Sequence, residues 1–494
     1  MGGGKRIKSV AVVGAGAAGA VTAAALKAEE AFDVIRVFER REAPGGTWIY
    51  DEAVQPDILV GPGARPPEVD LPLEIPANLP RVTPPNTQER FSNTPVYSAL
   101  TTNVPDVAMC LSDSRFPYGP FVPHHIPRQY IENYFAIHKT DSFLALGTTV
   151  EDISQIEHPS NDGSTQWKLT LRKYDGLQDA DVWWEEVFDA VILANGHYAV
   201  PSIPHVDGLD VYIRKFPGRV IHSKTYRKPE TFAGQKVIVI GNSASGHDIV
   251  RAVATTAKQP VYQSIRTKST WDPEKPPKGI EYKPVIKEYL PSGRVVFDDG
   301  TYVDNVDTVI YCTGYSPSFP FWNVKNNGRP LWDYKEGRLA KNYQHTFFQD
   351  FSNLGIVGII RALTFRSFEY QAIALARLFA GRNAVPLPPV KQQGEWELAR
   401  AEDFRKKHRP FHDIIWENGE LHEWLGNLFK ISGLGTLTGQ GLIPPPLSKE
   451  LVDVIEHPIK KPEGYGQRDE GTDAQRVRGW GVVERRKDSV LGFI

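Results

Sequence analysis

Apolar residues in this chain cluster in short β-branched runs, broken by glycine turns and alanine-rich stretches. Val10-Ala-Val-Val13 leads into Gly14-x-Gly16-x-x-Gly19. A helix-favouring segment from Ala20 to Ala31 follows, then the strand-like Val34-Ile-Arg-Val-Phe38. The order recurs later as Lys236-Val-Ile-Val-Ile240, Gly241-x-Ser243-x-x-Gly246 and a run from Val261 to Ile265. Each repeat reads as the strand, turn and helix that begin a dinucleotide-binding unit.

Other patterns fill the space between and after these units. Residues 126–146 predict a helix, with Ile131, Tyr134 and Phe135 at helical spacing. Trp167 to Leu171 alternates as a strand, and the stretch to Trp184 predicts a meander. Phe188 to Ala194 is almost continuously apolar, as the interior of a parallel sheet requires. Pro291-Ser-Gly293 and Asp298-Asp-Gly300 predict successive hairpin turns. Thr308 to Cys312 predicts a further strand and Arg366 to Ala380 a helix, with helical patterns and prolines alternating over 392–460. Residues 51–95 are proline-rich and aperiodic, and too long for an ordinary connection. Ala194-Asn-Gly196 and Cys312-Thr-Gly314 each end an apolar strand with a small residue and a glycine. They mark where the chain leaves one nucleotide domain for the other. The expected fold is α/β, with two Rossmann-like domains. Residues 1–209 begin the first domain, 210–328 form the inserted second, and 329–494 complete the first and add a helical C-terminal segment.

Composition narrows the function. The 494 residues carry a net charge of −2, so no global field draws in nucleic acid. Two cysteines, Cys110 and Cys312, exclude a disulfide framework and argue against a redox pair or thiolate zinc site. Lys5 to Leu26 imitates a signal peptide, but three glycines at phosphate-loop spacing lie inside it. No apolar run is long enough for a membrane span, and the tail from Arg485 to Ile494 is neither an anchor nor a peroxisomal address. The expected compartment is the cytoplasm. His124-His125 lacks a third ligand at matching spacing, so no metal site is expected; His408 and His412 read as a solvated helix face.

The chemistry lies in the turns. Gly14, Gly16 and Gly19 let the backbone approach a pyrophosphate at a helix N-terminus. Glu39, twenty residues after Gly19, is placed to accept ribose hydroxyls and to repel a 2′-phosphate, which predicts FAD or NAD in the first unit. Gly45 and Gly46 allow a second close approach, and Trp48 offers a flat face to a flavin or its neighbourhood. In the second unit Ser243 replaces the middle glycine, with Ser245 and Gly246 following. Arg266, twenty residues after Gly246, and Lys268 put cations where the first unit has a carboxylate. That substitution predicts NADPH.

Between the units runs Phe216-x-Gly218-x-x-x-His222-x-x-x-Tyr226. With both glycine turns in order around it, this segment resembles the fingerprint of flavin-containing monooxygenases. Tyr226 favours the N/S-oxygenating branch over the Baeyer–Villiger branch, which usually carries tryptophan there. Gly45-Gly-Thr-Trp48, Leu100-Thr-Thr102-Asn103-Val-Pro105 and Thr313-Gly314-Tyr315 resemble further elements of that family. The resemblance covers most of residues 8–380. It implies FAD and NADPH as cofactors and a C4a-hydroperoxyflavin that oxygenates a soft amine nitrogen or sulfide sulfur, as in N,N-dimethylaniline monooxygenases. It also implies that Asn103 is catalytic at the flavin edge, with Thr102, Thr313 and Gly314 among the cofactor-binding residues. His222 reads chiefly as a linker residue. Partners are O2 and a small amine or sulfur compound. A Baeyer–Villiger oxygenase and an H2O2-releasing NADPH oxidase are the rival activities. The oligomeric state stays open, with a homodimer one candidate.

Overall fold

The computed structural model describes residues 6–54, 61–88, 90–159, 163–268, 272–360, 364–415, 418–433, 440–443 and 445–456. The tail from Arg485 lies outside them. Two sheets, one mostly and one wholly parallel, organise the chain. The first has the spatial order Asn342–Tyr343, Phe347–Phe348, Leu354–Ile356, Ala190–Leu193, Ser9–Val13, Val34–Phe38, Leu144–Ala145. Its last five strands are parallel. The residues from Ala190 to Leu193 are wholly buried, which explains their unbroken apolar character.

The helix Ala17–Ala28 packs on this sheet and against the helix Thr364–Phe379. Its small buried residues, among them Ala20, Ala23 and Ala24, present little side-chain bulk to the neighbouring helix. From the other helix, Leu375 sits where a side chain on Gly355 would project, 2.5 Å from that Cβ position. Helix and strand are therefore in direct contact there.

The second sheet has the order Val220–His222, Thr308–Tyr311, Val237–Ile240, Val261–Ser264, Ile280–Lys283, all parallel. All its strands fall, in sequence, between Leu193 and Asn342 of the first sheet. The first domain is thus discontinuous and the second is inserted into it. The antiparallel strands Ile286–Tyr289, Val295–Phe297 and Tyr302–Val303 form around the two expected turns. The chain crosses between domains twice, at Val200–Pro201 and at Tyr315–Ser316, and these segments pair as an antiparallel ribbon.

Some expectations change. The helix expected over 126–146 spans His125–Ile137. Lys139 then adopts a left-handed φ of 52°, and the Thr140 amide returns to the Phe135 carbonyl at 2.8 Å. That turn frees Leu144–Ala145 to join the first sheet. His412 does not face solvent. It is buried, accepts from the Leu339 amide at 3.1 Å, and lies 2.9 Å, Nδ1 to Nδ1, from buried His345. The helix before it ends at Lys406, so His408 and His412 share no helix face.

The 51–95 segment, described except at 55–60 and 89, contributes Arg81–Thr83 as an edge strand. That strand joins the meander formed by Thr148–Glu157, Thr165–Asp175 and Ala180–Phe188. Just beyond the segment, Tyr97 packs in the core of the second domain, and its hydroxyl donates to Asp248 at 2.7 Å.

His222 ends the first strand of the second sheet. Its Nδ1 accepts from the Lys224 amide at 3.1 Å, and its ring lies edge-on to Tyr315 at 5.1 Å. Burial pushes its pKa from 6.5 down to about 3, so the ring is neutral at physiological pH. The unfolded chain binds this proton as pH falls below the usual histidine value, whereas the folded chain resists it. The resulting stability is intact above 6.5 and lost as pH falls toward 3. His222→Gln should flatten the fall in Tm across that window. Thermal unfolding at a series of pH values checks this, and an unchanged slope would contradict it.

Candidate functional site

The two glycine turns are built alike. Gly14 and Gly241 both have φ of 108°. Gly14 N donates to the carbonyl of Phe38 at 2.8 Å, and Gly241 N to that of Ser264 at 2.9 Å. A Cβ on Gly14 would lie 2.6 Å from the Ala194 carbonyl oxygen; one on Gly241 would lie 2.7 Å from that of Cys312. Gly19 and Gly246 press on the turns from the helix side. Their Cβ atoms would fall 1.9 and 2.2 Å from the carbonyl oxygens of Gly14 and Gly241. In both units the first and third glycines are therefore required by the protein's own packing.

The middle position differs in kind. Gly16 and Ser243 are both N-caps with extended backbone, at φ −77° and −91°. Neither conformation demands glycine. A Cβ on Gly16 would make an ordinary 3.5 Å contact with Gly46 Cα. The protein tolerates a side chain here, so a glycine suits the close approach of a ligand. Ser243 is exposed, and its hydroxyl does not cap its own helix, which leaves it available to a phosphate.

Tertiary folding brings Gly46 to the first turn. Gly46 has φ of 55°, and its Cβ would lie 2.7 Å from Gly16 Cα. Gly45 N donates to the Ala15 carbonyl at 3.0 Å. Glu39 closes the other side: its carboxylate is buried and accepts from the amides of Ala15 at 2.8 Å and Arg41 at 2.9 Å. Each carboxylate oxygen retains lone-pair capacity for a ribose hydroxyl. Trp48 stands half-buried, edge-on to Phe365 at 6.4 Å.

Thr102 is buried, and its amide donates to the Val122 carbonyl at 2.8 Å. Its hydroxyl accepts from the Val122 amide at 3.0 Å. Asn103, the next residue, is exposed on a bend. The segment is tied to Trp48's neighbourhood through His124, which donates its amide to Leu100 at 2.9 Å and lies 5.3 Å from the Tyr50 ring. Thr313 and Gly314 sit at the crossover. The Thr313 hydroxyl donates to the Ser202 carbonyl, and Gly314 O accepts from Ser202 N at 2.9 Å.

In the second unit Arg266 and Lys268 are both exposed just after the strand Val261–Ser264, and Lys268 donates to the Glu274 carbonyl at 3.3 Å. Ser245 lies half-buried within the helix Ala244–Val253. Sequence reasoning missed three residues beside this turn. Asn242 donates to the Thr267 carbonyl at 2.8 Å and to Asp272 at 2.7 Å, and His247 stands 3.1 Å from the same carboxylate. Asp272 lies beyond the twenty-residue spacing that motif reading uses, so no signal pointed to it. In the first unit Arg40, next to Glu39, was also missed; it donates to the Phe91 carbonyl at 3.2 Å. Among the described residues no cluster of metal ligands exists, and no helix is long and apolar enough to cross a membrane.

Two helix N-termini thus face two cradles, one beside the buried Glu39 carboxylate and one with exposed Arg266 and Lys268 near it and Asp272 at its edge. Comparison with known proteins gives the family. The model of the flavin-binding monooxygenase-like family matches residues 86–272 and 278–410, and that of the NAD(P)-binding Rossmann-like domain matches 12–65. The chain is 31% identical over 400 residues to flavin-containing monooxygenase FMO GS-OX-like 6 of Arabidopsis thaliana, covering 79% of this chain and 76% of that protein. It is 32% identical over 427 residues to FMO GS-OX-like 9 of the same plant, covering 83% and 84%. Among solved structures it resembles S-allyl-L-cysteine S-oxygenase from Allium sativum, with TM-score 0.68, 29% identity and coverage of 87% and 90%. Tmm from Pelagibacter sp. strain HTCC7211 shares the fold, with TM-score 0.63, 22% identity and 86% coverage of both chains. The chain belongs to the flavin-binding monooxygenase-like family, and its cofactors are FAD and NADPH.

Proposed function

We propose that this enzyme oxygenates a soft nitrogen or sulfur atom of a small molecule, with FAD in the first cradle and NADPH in the second. The observation that carries the assignment of cradles is the contrast just past the second strand of each unit: buried Glu39, directly after Phe38, beside the first turn, and exposed Arg266 and Lys268, shortly after Ser264, beside the second. A carboxylate accepts ribose hydroxyls and repels a 2′-phosphate, whereas a guanidinium pairs with that phosphate. Residues 1–209 and 329–494 then serve the flavin, and 210–328 serve the nicotinamide nucleotide.

The chain's own residues do the following. Gly14, Gly16, Gly19 and Gly46 admit the flavin's pyrophosphate, and Glu39 fixes its adenosine end. Trp48 and Thr102 wall the flavin site. Gly241, Ser243, Ser245 and Gly246 receive the NADPH pyrophosphate. Thr313 and Gly314 hold the crossover between the cradles. Asn103 offers an amide donor and acceptor at the flavin edge. When bound, FAD supplies oxygen activation with electrons from NADPH; the protein supplies orientation and exclusion of water. His222, buried and neutral, orders the linker and does not shuttle protons.

Replacing Arg266 with Gln should raise KM for NADPH by about tenfold, the worth of roughly 1.4 kcal/mol. KM for NADH should change little. Steady-state kinetics with both nucleotides checks this, and equal effects on the two would overturn the assignment. Asn103→Ala should retain FAD and NADPH oxidation but divert oxygen to H2O2. Peroxide and oxygenated product measured together decide it; unaltered coupling in that variant would remove Asn103 from the chemistry.

A further inference from the structure

The segment that carries Asn103 passes from one hydrophobic core to the other. Tyr97 lies in the core of the second domain, and half-buried Leu100 packs against that core. Val104 packs against the core of the first domain, within which Val107, Ala108 and Met109 are buried. Exposed Asn103 stands between these two anchors. Its place therefore depends on how each end of the segment is fastened.

At the first-domain end the fastening runs mostly through the backbone. The Thr102 amide donates to the Val122 carbonyl at 2.8 Å, and its hydroxyl accepts from the Val122 amide at 3.0 Å. The His124 amide donates to the Leu100 carbonyl at 2.9 Å, and the Asp106 amide to that of Pro120 at 2.9 Å. At the second-domain end it centres on a side chain. The Tyr97 hydroxyl donates to Asp248 Oδ2 at 2.7 Å, across 151 positions of sequence. Its ring meets that of Tyr226 edge-on at 5.4 Å, and Tyr226 stacks in turn on Phe232 at 5.9 Å. Tyr226, the last residue of the linker fingerprint, thus walls Tyr97. Next to it, the Ser98 amide and hydroxyl both lie 3.0 Å from the Arg227 carbonyl and donate to it.

Asp248 stands on the helix Ala244–Val253, whose N-terminal turn receives the NADPH pyrophosphate in the reading above. Tyr97 therefore ties the helix of one cradle to the segment at the edge of the other. Packing alone leaves an aromatic ring free to slide along its neighbours. A hydroxyl-to-carboxylate hydrogen bond is directional, and it is stronger than one between neutral groups. Burial, and then the charge of Asp248, push the Tyr97 pKa well above that of an ordinary tyrosine, so the hydroxyl keeps its proton and stays the donor.

We propose that Tyr97 is a positioning residue: its hydrogen bond to Asp248 sets where Asn103 stands relative to the nicotinamide domain. This role rests on the oxygenase reading above and deepens it by a residue that acts through Asn103. When the tie is lost, Asn103 drifts from the flavin edge and oxygen transfer fails. Turnover then balances as NADPH, O2 and a proton giving NADP+ and H2O2. NADPH binding itself is spared, because the turn that receives the pyrophosphate is unaltered.

Three variants of the FAD-loaded enzyme test the tie. Tyr97→Phe keeps the ring and loses the donor, Asp248→Leu loses the acceptor, and Asp248→Asn keeps an acceptor oxygen. Amide hydrogen exchange over residues 98–104 should be about tenfold faster in Tyr97→Phe and Asp248→Leu, the scale of one hydrogen bond to a charged group. In Asp248→Asn it should stay within about twofold of the wild type. With thioanisole and N,N-dimethylaniline as probes, the ratio of oxygenated product to H2O2 should follow the same order. Tyr97→Phe should keep its FAD content and its KM for NADPH to within about twofold, and joining it to Asp248→Leu should add no further loss. Unchanged exchange in Tyr97→Phe would overturn the tie, and faster exchange with unaltered coupling would overturn its action on Asn103. Lost FAD or a raised KM in step with the coupling would mark a merely structural role and overturn the proposal as well. A wild-type enzyme that gives only H2O2 with both probes would count against the oxygenase reading alone, since the exchange pattern still decides the tie.

Discussion

Two backbone carbonyls, those of Ala194 and Cys312, set the shape of everything near the cofactors. Each stands at the end of a buried strand, where a Cβ on the first glycine of the adjacent turn would collide with it. The same two residues donate their amides to Val13 at 2.9 Å and to Ile240 at 2.8 Å, which locks the colliding strand in place. The turn is thereby pinned between its neighbouring strands, and the helix that follows must begin at that point. Its free amides then face the cradle. Both crossovers between domains begin just after these carbonyls, so the constraint that shapes each phosphate turn also fixes where the chain changes domain.

Within this shared frame, the two units differ where a ligand would distinguish them. The first and third glycines answer to packing and are the same in both. The middle position is not dictated by packing, and there the chain has Gly16 in one and Ser243 in the other. Farther out, the buried Glu39 carboxylate accepts from backbone amides at the first turn, whereas the second has exposed Arg266 and Lys268 nearby and the Asp272 carboxylate held by Asn242. One scaffold used twice, with different charges near the two turns, is the basis of the proposed assignment of FAD to the first cradle and NADPH to the second. At the crossover ribbon the neutral His222 ring packs against half-buried Tyr315, and Arg227 reaches the Asp51 and Thr94 carbonyls of the first domain.

Much of this was legible because it depends on local chemistry. The two strand–turn–helix units were legible through Gly14, Gly19, Gly241 and Gly246, since steric demand shows directly as glycine at fixed spacing. The central strands, Val10 to Val13, Ala190–Leu193 and Val237 to Val239, read correctly because burial on both faces leaves only apolar residues. What escaped depends on contacts between distant segments. The approach of Gly46 to Gly16 could be expected from a motif but not placed. Asp272 reaches Asn242 from 30 positions away, outside any motif spacing. Arg81–Thr83 is a strand only because Ala180–Phe188 offers it an edge. His412 looked like a helix-face residue, yet the helix stops at Lys406 and His345 buries it.

The account stands most directly on electron transfer between the cradles. The purified chain is mixed anaerobically with NADPH in a stopped-flow instrument and the flavin colour is followed. The account predicts a yellow protein that NADPH bleaches and NADH bleaches far more slowly. A colourless protein that cannot be loaded with FAD, or a yellow one that NADPH leaves unchanged, would contradict it.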